Sequence, residues 1–281
     1  MSTDLASVRW PARLQLSAVH DGAATRLRAR HQGPLRLLKT LYPEGPGVAH
    51  AVIVHPPGGL VGGDRLDIEL EVRPGAHLLV TTPAATRIYR SNAGEAAQCV
   101  EARVHERGRL EWLPQETLAF EGCEARNEVR LCLAAGASLI ASEVLALGLP
   151  AAGQHFRRGR ILQHLEVEGL WRDRGWLDAA DAALLDGPCG LAGHRVLGSL
   201  AYAQTETMAG GEELLEQSRR LMADLPLSGI TRLLRPQGTV LLARVLGDEV
   251  EAVSAALRRL RALWRQQLWG LATAEPRVWS T

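Results

Sequence analysis

Strand-length runs that break at a glycine and then resume recur along this chain at a nearly constant spacing. EVRPGAHLLVTT turns at Gly75, ARVHERGRLEWLPQ at Gly108, VRLCLAAGASLIASEV at Gly136 and HLEVEGLWRDRGWLDAAD at Gly169, separations of 33, 28 and 33 residues. Within the runs apolar and polar residues alternate. Leu66, Ile68, Leu70 and Val72, for example, interleave with Asp67, Glu69, Glu71 and Arg73. Period two marks a strand with one wet face. No residue-level repeat accompanies the spacing, so the expectation is a series of antiparallel hairpins whose layers share a core. ARLQLSAVHDGAATRLRAR fits the same scheme, alternating on both sides of an Asp21-Gly22 turn.

Two helices interrupt this strand-rich pattern in the C-terminal half. GEELLEQSRRLMADL (211–225) lines up Leu214, Leu215, Ser218, Leu221, Met222 and Leu225, and Pro226 stops it. DEVEAVSAALRRLRALWRQQLWG (248–270) opens with a capping box, Asp248 and Glu251. Val250, Val253, Leu257, Leu260 and Trp264 follow at spacings of three and four. RLLRPQGTVLLARVLG, between the helices, reads as one more hairpin. With no linker in sight, residues 1–281 are expected to form a single domain.

Composition excludes several classes of function. A formal net charge of +1 announces no polyanionic partner such as nucleic acid. Cys99, Cys123, Cys132 and Cys189 form no CxxC pair, the pattern of reduced thiols in a cytoplasmic protein. MSTDLASVRW lacks the apolar core of a signal peptide. LAAGASLIASEVLALGLPAAG (133–153) is apolar enough to prompt a membrane check, but Glu143, two serines, three glycines and a proline make it a buried strand. The nine histidines form no HExxH or HxH, so no permanent metal site is visible. No GxSxG elbow marks a serine hydrolase.

Three stretches stand above that background. HPPGGLVGGDR places Gly58, Gly59, Gly62, Gly63 and Asp64 together. Such glycine density serves sharp turns or close approaches. A strand follows it where a phosphate loop needs a helix, and no Lys-Ser/Thr pair is present, so nucleotide binding is excluded. Structural turn and functional loop both stay open. In TTPAATRIYRS (81–91), Thr81, Thr82, Thr86, Arg87, Tyr89 and Arg90 interrupt an apolar strand, as in a lined cavity, a contact surface or an exposed loop. In LEWLPQET, Pro114 removes a ladder donor and marks a strand edge, leaving Gln115 and Glu116 at the turn.

The order GGLVGGDRL, LLVTTPAATRIYRS, LEWLPQETLAFEG resembles the urease accessory protein family called UreD, or UreH. GQHFRRGR, LLARVLGD and the terminal EPRVW extend the resemblance from about Arg13 to Trp279. It implies a mainly β fold, strands wound in helical layers as a β-helix-like scaffold, with a helix pair that contacts a partner. It implies no catalytic turnover. Family members are chaperones that act with UreF and the GTPase UreG to load nickel into apo-urease, and the assembly is dimeric. Ni²⁺ is the cargo, and a water-filled passage through UreD is its proposed route.

On that resemblance, Leu257, Arg258, Arg261, Trp264 and Arg265 become candidates for contact with UreF. A conduit must hold its ion loosely, and carboxylates, carbonyls and water bind Ni²⁺ more weakly than clustered histidines. Asp64, Glu116 and Glu143 are the candidates for such transient contacts. Relatives commonly carry a glycine-arginine and then a glycine-glutamate pair where this chain has Gly148-Leu149 and Gly153-Gln154. Joint loss of two opposite charges suggests that the two positions pair. The alternative reading is a strand-rich hydrolase or transferase with a pocket near Asp64, Thr82 and Tyr89, for which no nucleophile–base pair is evident.

Overall fold

The glycine-marked turns at 75, 108 and 136 are corners between two sheets. A computed structural model describes residues 11–280 except 93, 150, 151 and 226. Residues 1–10, read for a signal peptide, and the helix stop expected at Pro226 lie outside the described residues.

A hairpin of β1 (Pro11–His20) and β2 (Thr25–Gln32) opens the chain, turning at Gly22 as expected. There follow β3 (Arg36–Leu41), β4 (Val48–Val54), β5 (Arg65–Val72), β6 (His77–Thr81), β7 (Thr86–Ile88) and β8 (Ala96–Val104). Next come β9 (Arg109–Leu113), β10 (Thr117–Ala119), β11 (Glu124–Leu133), β12 (Ser138–Leu149) and β13 (Gln154–His155). After β14 (Arg160–Val167) and β15 (Trp171–Asp178), a short α1 (Ala182–Asp186) precedes β16 (Val196–Gln204). The chain closes with α2 (Gly211–Leu221), β17 (Ser228–Arg235), β18 (Gly238–Gly247), α3 (Val250–Trp269) and a 3-10 turn, Arg277–Ser280.

The first sheet runs β15-β14-β11-β8-β5-β1-β2 and the second β17-β18-β16-β12-β9-β6-β4-β3. Successive coils contribute β5, β8, β11 and β14 to one, and β4, β6, β9 and β12 to the other, all in parallel ladders. A third, short parallel ladder joins β7, β10 and β12. The molecule is therefore mainly β and solenoid-like, as expected, but the strands of successive coils pair in parallel. Antiparallel pairs occur at the ends, in β1–β2, β3–β4, β14–β15, β12–β16, β16–β18 and β17–β18. The hairpins expected at Gly169 and between the two helices are among them.

Alternation and a glycine turn are common to a hairpin and to a solenoid corner; only the pairing of residues a whole coil apart separates them. The corners stack through the backbone. Gly75 N–H donates to the Glu106 carbonyl at 3.1 Å and Arg107 N–H to that of Ala135 at 3.3 Å. The left-handed position is filled by Gly75, Arg107 and Gly136, at φ of 70°, 55° and 68°. Arg107 holds it in the middle coil, one residue before Gly108, so the glycine is one residue off the structural corner there.

Two cores result. Leu14, Ile68, Leu70 and Val100 of the first sheet meet Leu78, Val80, Leu110 and Leu139 of the second inside the coil. The outer face of the second sheet, with Ile140, Leu200 and Leu241, is covered by Leu214 and Leu215 of α2 and Leu257, Leu260 and Trp264 of α3. Ser218 belongs on the apolar stripe because its hydroxyl donates to the Leu214 carbonyl and accepts from Trp264 Nε1 at 2.9 Å. The expected capping box is not formed: Glu249 is the N-cap and makes no side-chain cap, while the Asp248 carboxylate contacts His194 Nδ1 at 3.0 Å. Among the described residues no helix is long and apolar enough to cross a membrane.

Candidate functional site

A polar lane runs through the coil between the two sheets. On β8 the inward residues are Ala96, Val100, Ala102 and Val104, and Gln98 shares their parity. Asn127 of β11, almost fully buried, and Gln163 of β14 also face inward, meeting Glu143 of β12. Gln98 Nε2 donates to Asn127 Oδ1 at 3.1 Å, and Asn127 Nδ2 donates to Glu143 Oε1 at 3.2 Å. This chain has a cavity at each end. Gln98 borders one of about 230 Å³ beside His55, Gly58, Gly59, Thr82 and Trp112. Glu143 borders one of about 410 Å³ beside Gln163, Asp173, Ser199 and Arg244.

Each cavity is bordered by a buried polar atom with no partner in the protein, Trp112 Nε1 at one and Gln163 Oε1 at the other. Orphaned buried donors and acceptors beside a cavity with room for water are ordinarily satisfied by it. Burial pushes the Glu143 carboxyl up to about 8, nearby Asp173 adds to the shift, and the Asn127 hydrogen bond opposes it. At neutral pH this carboxyl is mostly protonated, yet one step from ionising.

The glycine cluster is a corner of the coil that presses on its neighbour. Leu60 N–H donates to the Arg87 carbonyl at 2.7 Å and Tyr89 N–H to that of Leu60 at 2.8 Å. A Cβ on Gly59 would lie 2.4 Å from the Tyr89 ring and 2.9 Å from the Arg87 carbonyl oxygen. Gly58 and Gly63 adopt φ of 79° and 94°, the left-handed region. Gly62 and Gly63 belong to a turn closed by Asp64, whose Oδ2 accepts from Val61 N–H at 2.9 Å. What this loop approaches is its own next coil.

The other candidates are dispersed. Thr81 is buried, donating to the Leu113 carbonyl at 2.6 Å and accepting from Trp279 Nε1. Thr82 and Arg87 border the smaller cavity. Thr82 also accepts from Gln115 N–H at 2.9 Å. Tyr89 packs on Phe120 in an open groove elsewhere. Gln115 and Glu116 border a crevice under α3, with Arg258 and Trp279. Asp64, Glu116 and Glu143 thus occupy a turn, a crevice and the lane, and do not converge. Asp64, Thr82 and Tyr89 share no pocket either. Among the described residues no three His, Cys, Asp or Glu side chains are placed to hold a metal ion together. Leu149 and Gln154 face one another in the β12–β13 ladder, as expected of a paired position.

The candidate partner face of α3 requires correction. Leu257, Arg261, Trp264 and Arg265 are at most 3% exposed and point into the chain itself. Arg261 and Arg265 clasp Glu111 of β9, a fully buried carboxylate that His77 also contacts at 3.0 Å. Arg265 reaches Glu44 at 2.7 Å and the Ala272 carbonyl at 2.8 Å. Arg258 is half-buried and lies over the Trp279 ring at 4.5 Å. The outward positions of α3 are instead Glu251, Ala252, Ala255, Arg259, Gln266 and Gln267.

Sequence reasoning missed Gln98, Asn127, Gln163, Asp173 and Arg244 in the lane, and Glu111 with its partners. The signal for Glu111 was available: Arg261 and Arg265 lie four apart on the apolar stripe of α3, where unpaired charge is costly.

The sequence matches the UreD urease accessory protein family over residues 11–280. The chain belongs to that family. A UreD named as a urease accessory protein in Leptothrix cholodnii is 47% identical over 276 residues, covering 97% of this chain and 99% of the relative. UreD of Paracidovorax citrulli is 48% identical over 273 residues, covering 96% and 99%. UreD of Albidiferax ferrireducens is 45% identical over 283 residues, with the same coverage.

Proposed function

We propose that this chain is a non-enzymatic chaperone of urease maturation, working in the cytoplasm as one unit of a dimeric assembly. Ni²⁺ released by the UreG GTPase passes through a UreD–UreF complex to apo-urease, and the lane between the sheets is the UreD part of the route. The observation that carries this reading is the hydrogen-bonded chain Gln98–Asn127–Glu143, a polar thread between two mostly apolar cavities in an otherwise apolar solenoid.

The donors suit a cargo ion in transit. Amide oxygens, one carboxyl and water offer Ni²⁺ weak and exchangeable contacts, whereas a histidine cluster would trap it. Glu143 exchanges its proton for a cation at little cost near neutral pH, because its affinity for that proton is poised there. The outer residues of α2 and α3 remain the surface offered to UreF. The test is nickel content and activity of urease made in cells that carry the other accessory genes, with and without this chain. Nickel-poor, inactive urease in its absence is expected; equal nickel loading in both refutes the reading.

A further inference from the structure

An ion pair crosses the larger cavity from one sheet to the other. Asp173 comes from β15, the edge strand of the first sheet, and Arg244 from β18 of the second, with Nη2 and Oδ2 2.5 Å apart. Register places Glu143 opposite Ser199 and Ser199 opposite Arg244, so carboxyl and guanidinium lie two strands apart on one inward row. The pair is partly open to water, its side chains 51% and 42% exposed. Glu143 and the unpartnered Gln163 Oε1 border the same cavity. Exposed pairs contribute little to stability, so holding the sheets together is a poor account of this one.

We propose that Arg244 is a tethered counter-ion that bars the Glu143 end of the lane to divalent cations while paired with Asp173, and admits one when it swings into solvent. The proposal rests on the passage reading above and adds its control point. The charged and titratable groups bordering the cavity are Glu143, Asp173 and Arg244; Asn127, Gln163 and Ser199 facing them from the neighbouring strands are neutral. With Arg244 seated and Glu143 protonated, this trio is neutral. With Arg244 withdrawn and Glu143 ionised, two negative charges and the Gln163 amide oxygen face a dication. Entry of one ion therefore displaces the guanidinium and sends one proton from Glu143 to bulk water.

The test is calorimetric titration of the full chain with nickel chloride, run in two buffers of different ionisation enthalpy to count protons. Removing a cation from so close a position tightens dication binding, so Arg244→Gln should bind Ni²⁺ about tenfold or more tightly than the parent. Each bound ion should release about one proton below the carboxyl's titration range. Asp173→Asn should show no gain, and the double variant should lose the gain of Arg244→Gln. Arg244→Met, which keeps the aliphatic stem, serves if thermal melting shows Arg244→Gln to be unfolded. Unchanged affinity in the folded Arg244 variant, or a gain that survives in the double variant, overturns the gate. Nickel content of urease matured with Glu143→Gln separates the two ideas. Tightened binding in Arg244→Gln with full loading by Glu143→Gln keeps the gate and rejects the passage. The reverse pattern rejects the gate alone.

Discussion

Replacing Glu111 with glutamine should unfold the chain more easily than any surface substitution. Glu111 is fully buried and meets Arg261 Nε at 2.8 Å and Nη2 at 2.6 Å, Arg265 Nε at 3.1 Å and His77 Nε2 at 3.0 Å. Glutamine keeps the shape but leaves two buried guanidiniums with one carboxylate, that of Glu44, and turns an amide donor towards other donors. Breaking a buried pair from one side costs about 3–5 kcal/mol. For a chain of this size that lowers the melting temperature by roughly 5–20 °C. Tryptophan fluorescence reports it well, since Trp269 stacks edge-on against His77 and Trp264 is fully buried. Burial pushes the Glu111 carboxyl up, but Arg261, His77 and Arg265 outweigh it and hold it down at about 2. Its folded value lies below its unfolded one. This stabilisation is therefore full above the ordinary carboxylate range and lost as pH falls from about 4.5 towards about 2. Acid should thus narrow the gap between parent and variant. A loss under about 1 kcal/mol at pH 7, or a gap independent of pH, would refute the claim that this cluster fastens α3 to the second sheet.

Other outcomes follow from the same geometry. Gly58→Ala, with left-handed φ but nothing within 4 Å of its Cβ, should cost about 1 kcal/mol. Gly59→Ala, driven into Tyr89 and the Arg87 carbonyl, should cost clearly more, about 1–3 kcal/mol. Denaturant titration of both decides, and equal losses would contradict the stacked corner. Glu143→Gln should flatten the stability curve between pH 4.5 and about 8. The carboxyl's value is raised from 4.5 to about 8 in the fold, so the parent loses stability as pH rises from about 4.5 to about 8 and the variant does not. Melting curves across the window from 4.5 to about 8 would show parent and variant diverging as pH rises; parallel curves would contradict the buried, proton-holding Glu143.

Much of the architecture was readable in the chain. Alternation at Leu66, Ile68, Leu70 and Val72 located β5, and the stripes of α2 and α3 located both helices. Strand direction was not readable, because Gly75 and Gly136 serve a corner as well as they serve a hairpin, and Arg107 holds the same backbone position without being glycine. The lane escaped for a related reason. Gln98, Asn127 and Gln163 look like wet-face residues until the register of a whole coil shows which parity faces in. Arg261 and Arg265 read as a partner surface because their counter-charges, Glu111 and Glu44, lie about 150 and 220 residues earlier in the chain. The glycine cluster was legible as a close approach, but what it approaches, Tyr89, is a matter of coil stacking.

Asn127→Leu puts the central idea at risk most directly, since it leaves the fold filled while making the waist of the lane apolar between Gln98 and Glu143. The measurement is nickel per urease active site after maturation by the complete accessory set carrying this variant. Assembly with the partners is verified on the same sample. The account predicts an intact assembly that delivers nickel no better than one lacking the chain. Urease fully loaded through a folded Asn127→Leu chain would show that the ion does not travel between the sheets.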